Sequence, residues 1–174
     1  MKKTILVLLI LAVAAAGCKQ RQEQRPAAPY PAAPLITADD IRHLQDAAKM
    51  APKSAAAWTV LGNAYMDTKQ FNEAIEAYQK ALALDPKNVD VRVDMGTCYR
   101  GAGKPEKALE EYRKALAINP DHINARRNSG VVLLYDLNDR KRAAKEFEKY
   151  LQLAPHAADA GEIRQIVQEL KAGK

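Results

Sequence analysis

Hydrophobic and polar positions change pattern three times along the chain. Ile5 to Ala16 is an unbroken apolar run behind Lys2 and Lys3. A positive start, a short apolar stretch and a small-residue end at Gly17 predict a secretory signal peptide, residues 1–17. The run is too short for the about 20 apolar residues that cross a bilayer. Residues 18–36 are then polar and Ala/Pro-rich, with Pro26, Pro29, Pro31 and Pro34. Such a segment favours extended polyproline geometry and acts as a tether of up to ~55 Å. From Thr37 onward the apolar positions take helical spacing, as in Phe71, Ala74, Ile75, Tyr78, Ala81 and Leu82.

That helical pattern repeats. "AKMAP", "LALDP", "LAINP" and "LQLAP" end at Pro52, Pro86, Pro120 and Pro155, spaced 34, 34 and 35 residues apart. "FNEAIEAYQKAL", "PEKALEEYRKAL" and "RKRAAKEFEKYL" align within that period. A 34-residue unit of two helices predicts an all-α solenoid whose terminal helices act as caps. Thr37 with Asp40 three residues later marks the start of the first cap, residues 37–54. Ile163, Ile166, Val167 and Leu170 share one face of the last, residues 157–174. Eight helices are expected.

The repeated positions resemble the tetratricopeptide family. Trp58, Leu61, Gly62, Tyr65, Ala74, Tyr78, Ala81 and Pro86 fill the family pattern in residues 55–88. Residues 89–122 fill it with Met95, Gly96, Tyr99, Ala108, Tyr112, Ala115 and Pro120, with Arg92 at the Trp place. Residues 123–156 keep Gly130, Ala143, Phe147 and Pro155, with Arg126, Ser129, Leu133 and Tyr150 elsewhere in the pattern. The extra residue of this repeat is expected in the turn at "DLND". Gly62, Gly96 and Gly130 are expected to face Ala74, Ala108 and Ala143, because small residues let paired helices approach.

In that family the first helix of each repeat lines a concave groove. Carried over, the groove residues are Thr59, Asn63 and Met66, with Ala56 and Asp67 beside them. They continue as Asp90, Val93, Thr97 and Arg100, then Asn124, Arg127, Val131, Leu134 and Tyr135. The co-chaperone members hold a C-terminal carboxylate with lysine and arginine. Of that clamp only Asn63 is present; Thr59, Thr97, Asn124 and Asn128 depart from it. The groove therefore suits a peptide or helix with an apolar anchor.

"AAAGC" resembles the bacterial lipobox, with Ala15 where that pattern prefers leucine. The resemblance implies a lipidated Cys18, palmitate among its acyl chains, and a stable membrane anchor. With Lys19 rather than Asp next, it implies an outer-membrane lipoprotein facing the periplasm, the alternative being another cell membrane. Cys98 is then the only free thiol and forms no internal disulfide.

Charge adds little chemistry. The net charge is +6, and among the three repeats the excess lies in residues 123–156, with 7 Lys/Arg against 4 acids. Export argues against nucleic acid as partner. Glu76–Lys80 and Glu110–Lys114 have the spacing of helical ion pairs. His43 stands among Asp39, Asp40 and Asp46 without a zinc-ligand pattern, and His122 and His156 read as solvated loop residues. Ser54 and Ser129 have no neighbouring base, and no phosphate-binding glycine loop is present. No catalytic residue, metal, cofactor or small-molecule substrate is expected. The expected role is a membrane-anchored scaffold or assembly factor for a cell-envelope complex. The alternative is a regulator of a peptidoglycan-modifying enzyme.

Overall fold

The computed structural model of the chain describes residues 36–173, all helix and turn. The signal segment, Cys18 and the tether lie outside the described residues. The helices are α1 (Ala38–Met50), α2 (Ala55–Asp67), α3 (Phe71–Leu84), α4 (Val89–Gly101) and α5 (Pro105–Ile118). They continue with α6 (Ile123–Val131), a π-helical extension Val132–Asp136, α7 (Arg140–Leu153) and α8 (Ala160–Lys171). None of the described helices is long and apolar enough to cross a membrane.

Local chemistry sets each start. Thr37 and Asp40 form a complete capping box: Asp40 N–H donates to Thr37 Oγ1 (3.2 Å) and Thr37 N–H to Asp40 Oδ2 (2.8 Å). Ser54, Asn88 and His122 recur at 34-residue spacing and cap α2, α4 and α6 by accepting from Ala57, Val91 and Ala125 N–H. His122 is thus not a solvated loop residue. Its Nδ1 is the acceptor (3.1 Å), which places the ring proton on Nε2, 2.9 Å from Asp90 Oδ1. Pro105 occupies the first turn of α5, where its missing N–H costs nothing.

Each α2–α3, α4–α5 and α6–α7 hairpin turns through a left-handed residue. Lys69 (φ 60°), Gly103 (φ 72°) and Asn138 (φ 50°) hold that place. The closing bonds run from Gln70 N–H to Tyr65 O, Lys104 N–H to Tyr99 O and Asp139 N–H to Leu133 O. The last of these spans one more residue than the others. The extra residue of the third repeat is therefore taken up by the π-helical segment, through Leu137 N–H to Val132 O (3.0 Å), rather than by the turn alone. A left-handed side chain costs about 1–2 kcal/mol. Lys69→Gly is thus expected to raise the melting temperature slightly, and Gly103→Ala to lower it although a Cβ there meets nothing within 4 Å. Paired urea melts check both signs.

The core is continuous. Ile41, Ala48, Leu61, Tyr65, Ile75 and Tyr78 begin it, and Tyr99 packs against both this cluster and the next. Tyr112, Phe147, Ile163 and Val167 continue it to the C-terminal cap. Ile163 and Val167 are buried while Ile166 and Leu170 are half-buried, so α8 shields the last repeat as the apolar spacing predicts.

The glycines differ from expectation in what they face. A Cβ at Gly62, Gly96 or Gly130 would lie 2.5 Å from a ring carbon of Tyr78, Tyr112 or Phe147. The close partner is thus an aromatic ring of the second helix, and all three rings are fully buried. Ala74, Ala108 and Ala143 are themselves fully buried.

Candidate functional site

Helices α2, α4 and α6 touch in succession, so the first helices of the repeats form the inner wall of the solenoid. Hydrogen bonds run to this wall from the second helices of the first two repeats. Tyr78 OH donates to Asn63 Oδ1 (2.8 Å) and lies 3.8 Å from Met66 Sδ. Tyr112 OH lies 3.2 Å from Thr97 Oγ1, which also accepts from Asn128 Nδ2 (3.4 Å). In the first two repeats the tyrosine that fills the space beside the glycine thereby orients a groove residue with its hydroxyl; Phe147, beside Gly130, has none to offer.

The expected groove residues fall into separate groups. Thr97, Arg100, Arg127 and Val131 come together with Tyr112 and Asn128 around a cavity of about 70 Å³. Leu134 and Tyr135 do not join them. Carried on the π-helical segment, they line a cavity of about 460 Å³ with Ile166 and Leu170 of α8. Thr59 bonds its own helix through Ala55 O (2.9 Å), and Asn124 is exposed. Val93 corrects the expectation: only 4% exposed, it packs in the core beneath the wall. Its neighbour Asp90 is exposed, while Asp94 is half-buried.

Both groove arginines are occupied. Arg100 Nε donates to Asp136 Oδ2 (2.6 Å), and Arg127 donates to Asp159, which also accepts from Tyr150 OH. The Tyr150 hydroxyl, then Arg127, holds the Asp159 carboxyl below the usual range. Near α4 the wall is acidic. Burial, with Asp90 and Asp67 nearby, pushes the Asp94 carboxyl up, and His122 opposes this. Because the folded pKa lies above the unfolded one, Asp94 lowers stability as pH rises through the unfolded value, and the loss is complete above the folded value. Asp94→Asn is therefore expected to raise the melting temperature at neutral pH. The gain should fade as pH falls towards the usual aspartate range, which melts at neutral pH and near pH ~4 compare.

Among the described residues no three His, Cys, Asp or Glu side chains cluster to hold a metal. His43 Nε2 approaches only Asp39, at 3.5 Å. Cys98 is fully buried, and burial followed by Asp94 pushes its thiol up to about 12.

Sequence reasoning placed Arg92 at the tryptophan position but missed the glutamate that accompanies it. Trp58 Nε1 donates to Pro52 O (3.1 Å), and Lys80 lies 4.2 Å over its ring. Lys80 therefore serves the indole, not the expected pairing with Glu76; Glu110–Lys114 does form, at 2.7 Å. Arg92 and Arg126 make the same contact to Pro86 O and Pro120 O (3.0 Å each). They also pair with Glu111 and Glu146 at 2.8 Å. Glu111 and Glu146 stand where the first repeat has Ala77, so the repeats exchange a Trp–Ala pair for an Arg–Glu pair.

Three tetratricopeptide-repeat family models match the chain, at residues 55–88, 97–168 and 77–110. The last straddles the second helix of one repeat and the first of the next, as a continuous solenoid allows. No curated protein matches. The crystal structure of MamA is similar with a TM-score of 0.70 at 22% identity, covering 77% of this chain and 76% of that one. The first tetratricopeptide domain of Spaghetti (RPAP3), bound to the HSP90 peptide SRMEEVD, has a TM-score of 0.62 at 28% identity, covering 67% and 93%. The Sgt2 tetratricopeptide domain from Aspergillus fumigatus has a TM-score of 0.61 at 26% identity, covering 68% and 78%. The helical hairpins of this chain are tetratricopeptide repeats, stacked as an all-α solenoid between two capping helices.

Proposed function

We propose that the chain is a membrane-anchored scaffold or assembly factor for a cell-envelope complex, which holds a segment of a partner protein against its inner wall. The observation that carries this is the row of oriented side chains on that wall. Asn63 and Met66 are held by Tyr78, and the Thr97–Arg100–Arg127–Asn128 recess continues the row. A recess with fixed polar groups and apolar neighbours such as Val131 suits an extended peptide or a helix with one apolar anchor. RPAP3, a similar fold, is bound to a peptide, which supports binding as the role.

The wall differs from one built for an acidic C-terminus. Its arginines are already paired with Asp136 and Asp159, and Asp67, Asp90 and Asp94 add negative potential. A neutral or basic partner segment is favoured. Anchoring follows from the lipobox-like "AAAGC", with Cys18 acylated and residues 18–36 as the tether. Fractionation tests that part. The native chain should sediment with the outer membrane, and Cys18→Ser should release it. A native chain found wholly in the soluble fraction would end the anchored-scaffold proposal.

A further inference from the structure

The outer side of the third repeat departs from the other two at three positions in one place. Gln45, Gln79 and Arg113 are equivalent, as are Leu61, Met95 and Ser129, and Tyr65, Tyr99 and Leu133. In the first two repeats the glutamine reaches the tyrosine hydroxyl, Gln45 to Tyr65 and Gln79 to Tyr99. In the third that polar pair is gone. A cavity of about 390 Å³ stands there, against about 250 Å³ at the matching place of the first repeat.

The lining of the two cavities has opposite charge. The first carries Glu73 and Glu76; the third has Arg142 and Lys145 at those positions, with Arg113 opposite on α5. Arg142 pairs with Asp139 (2.6 Å), while among the described residues Arg113 and Lys145 make no ion pair. Glu146, also in the lining, is neutralised by Arg126. Leu109, Leu116 and Leu133 form the apolar walls. Ser129 lines the same cavity at 1% exposed, and its hydroxyl has no hydrogen-bond partner. A buried hydroxyl left unpaired costs about 1–3 kcal/mol, so an orphan in a native core calls for a partner.

We infer that this cavity binds a phosphoryl group, with Arg113 and Lys145 supplying the counter-charge and the Ser129 hydroxyl donating one hydrogen bond. Two unpaired cations match the charge of a phosphate monoester, about −1.5 to −2 at neutral pH. Three separate donor groups suit an anion with three acceptor oxygens better than a carboxylate with two. The source is either free phosphate or the phosphomonoester headgroup of a lipid. This site is on the opposite side from the partner wall and does not depend on it.

The test titrates the full chain with inorganic phosphate, and separately with vesicles containing phosphatidic acid, at about 0.15 M ionic strength. Amide shifts of Ser129 and Leu133 and vesicle co-sedimentation are the readouts. Saturable shifts with phosphate identify the free ion; binding to the vesicles alone identifies the headgroup. In either case Arg113→Gln and Lys145→Gln should each weaken binding about tenfold or more. Ser129→Met, which installs the residue of the second repeat and fills the cavity, should abolish it while the melt is retained. No saturable binding to either probe, or binding that all three variants leave unchanged, would overturn the inference.

Discussion

Gly96→Leu is expected to remove the cooperative melt of the domain, or to lower its midpoint by the largest margin of any single substitution on the inner wall. Even a bare Cβ at Gly96 would sit 2.5 Å from Tyr112 Cε1 and 2.8 Å from Cδ1. Tyr112 is fully buried, with its hydroxyl beside Thr97, so the ring has no rotamer to retreat to without breaking that contact. Overpacking of this kind costs typically about 1–3 kcal/mol and more where the neighbour is fixed. Glycine itself costs the helix about 1 kcal/mol relative to alanine, so its place here is explained by the ring alone. Gly161→Ala in α8 is the control: a Cβ there meets nothing within 4 Å, and its melt should match or exceed the parent's. A Gly96→Leu chain melting with the parent would show that the two helices tolerate a wider separation than the ring contact implies.

Glu111→Ala should cost about 3 kcal/mol, the low end for removing one partner of a buried ion pair. The Arg92 and Glu111 side chains are 14% and 9% exposed, and Glu111 also accepts from Lys114. Removing the carboxylate leaves Arg92 buried with only Pro86 O, and its Nε is already without a partner. The first repeat shows the remedy. Adding Arg92→Trp to Glu111→Ala copies the Trp58–Ala77 arrangement, and Lys114 stands at the place of Lys80, ready to lie over the introduced indole. The double variant is expected to recover most of the loss in urea melts. A double variant as unstable as the single would mean that the two solutions are not interchangeable between repeats.

These two effects mark how far the sequence carries. The solenoid was legible because helical spacing, the proline period and the small and aromatic places all recur together, and agreement across levels specifies a fold. The partner of the glycines was not, because Ala74 and Tyr78 share a helix face and only the tertiary packing decides which of them reaches Gly62. The Arg–Glu exchange left a signal that was overlooked: wherever Trp58 becomes arginine one period later, Ala77 becomes glutamate. His122 likewise stood in register with the caps Ser54 and Asn88. The π-helical segment leaves only an odd residue count, which does not say where the extra residue is absorbed. Its effect falls on the candidate site, since it carries Leu134 and Tyr135 to α8 and away from Thr97.

Partner capture by the inner wall is the central claim, and site-specific photo-crosslinking in living cells tests it most directly. A crosslinker at Met66, beside Tyr78 on the wall, is compared with one at Glu76, exposed on the outer side of α3. The account predicts a defined envelope protein captured from Met66, absent from Glu76, and lost when the wall is altered by Asn63→Ala with Thr97→Ala. Equal capture from both positions, or capture from neither, would contradict it.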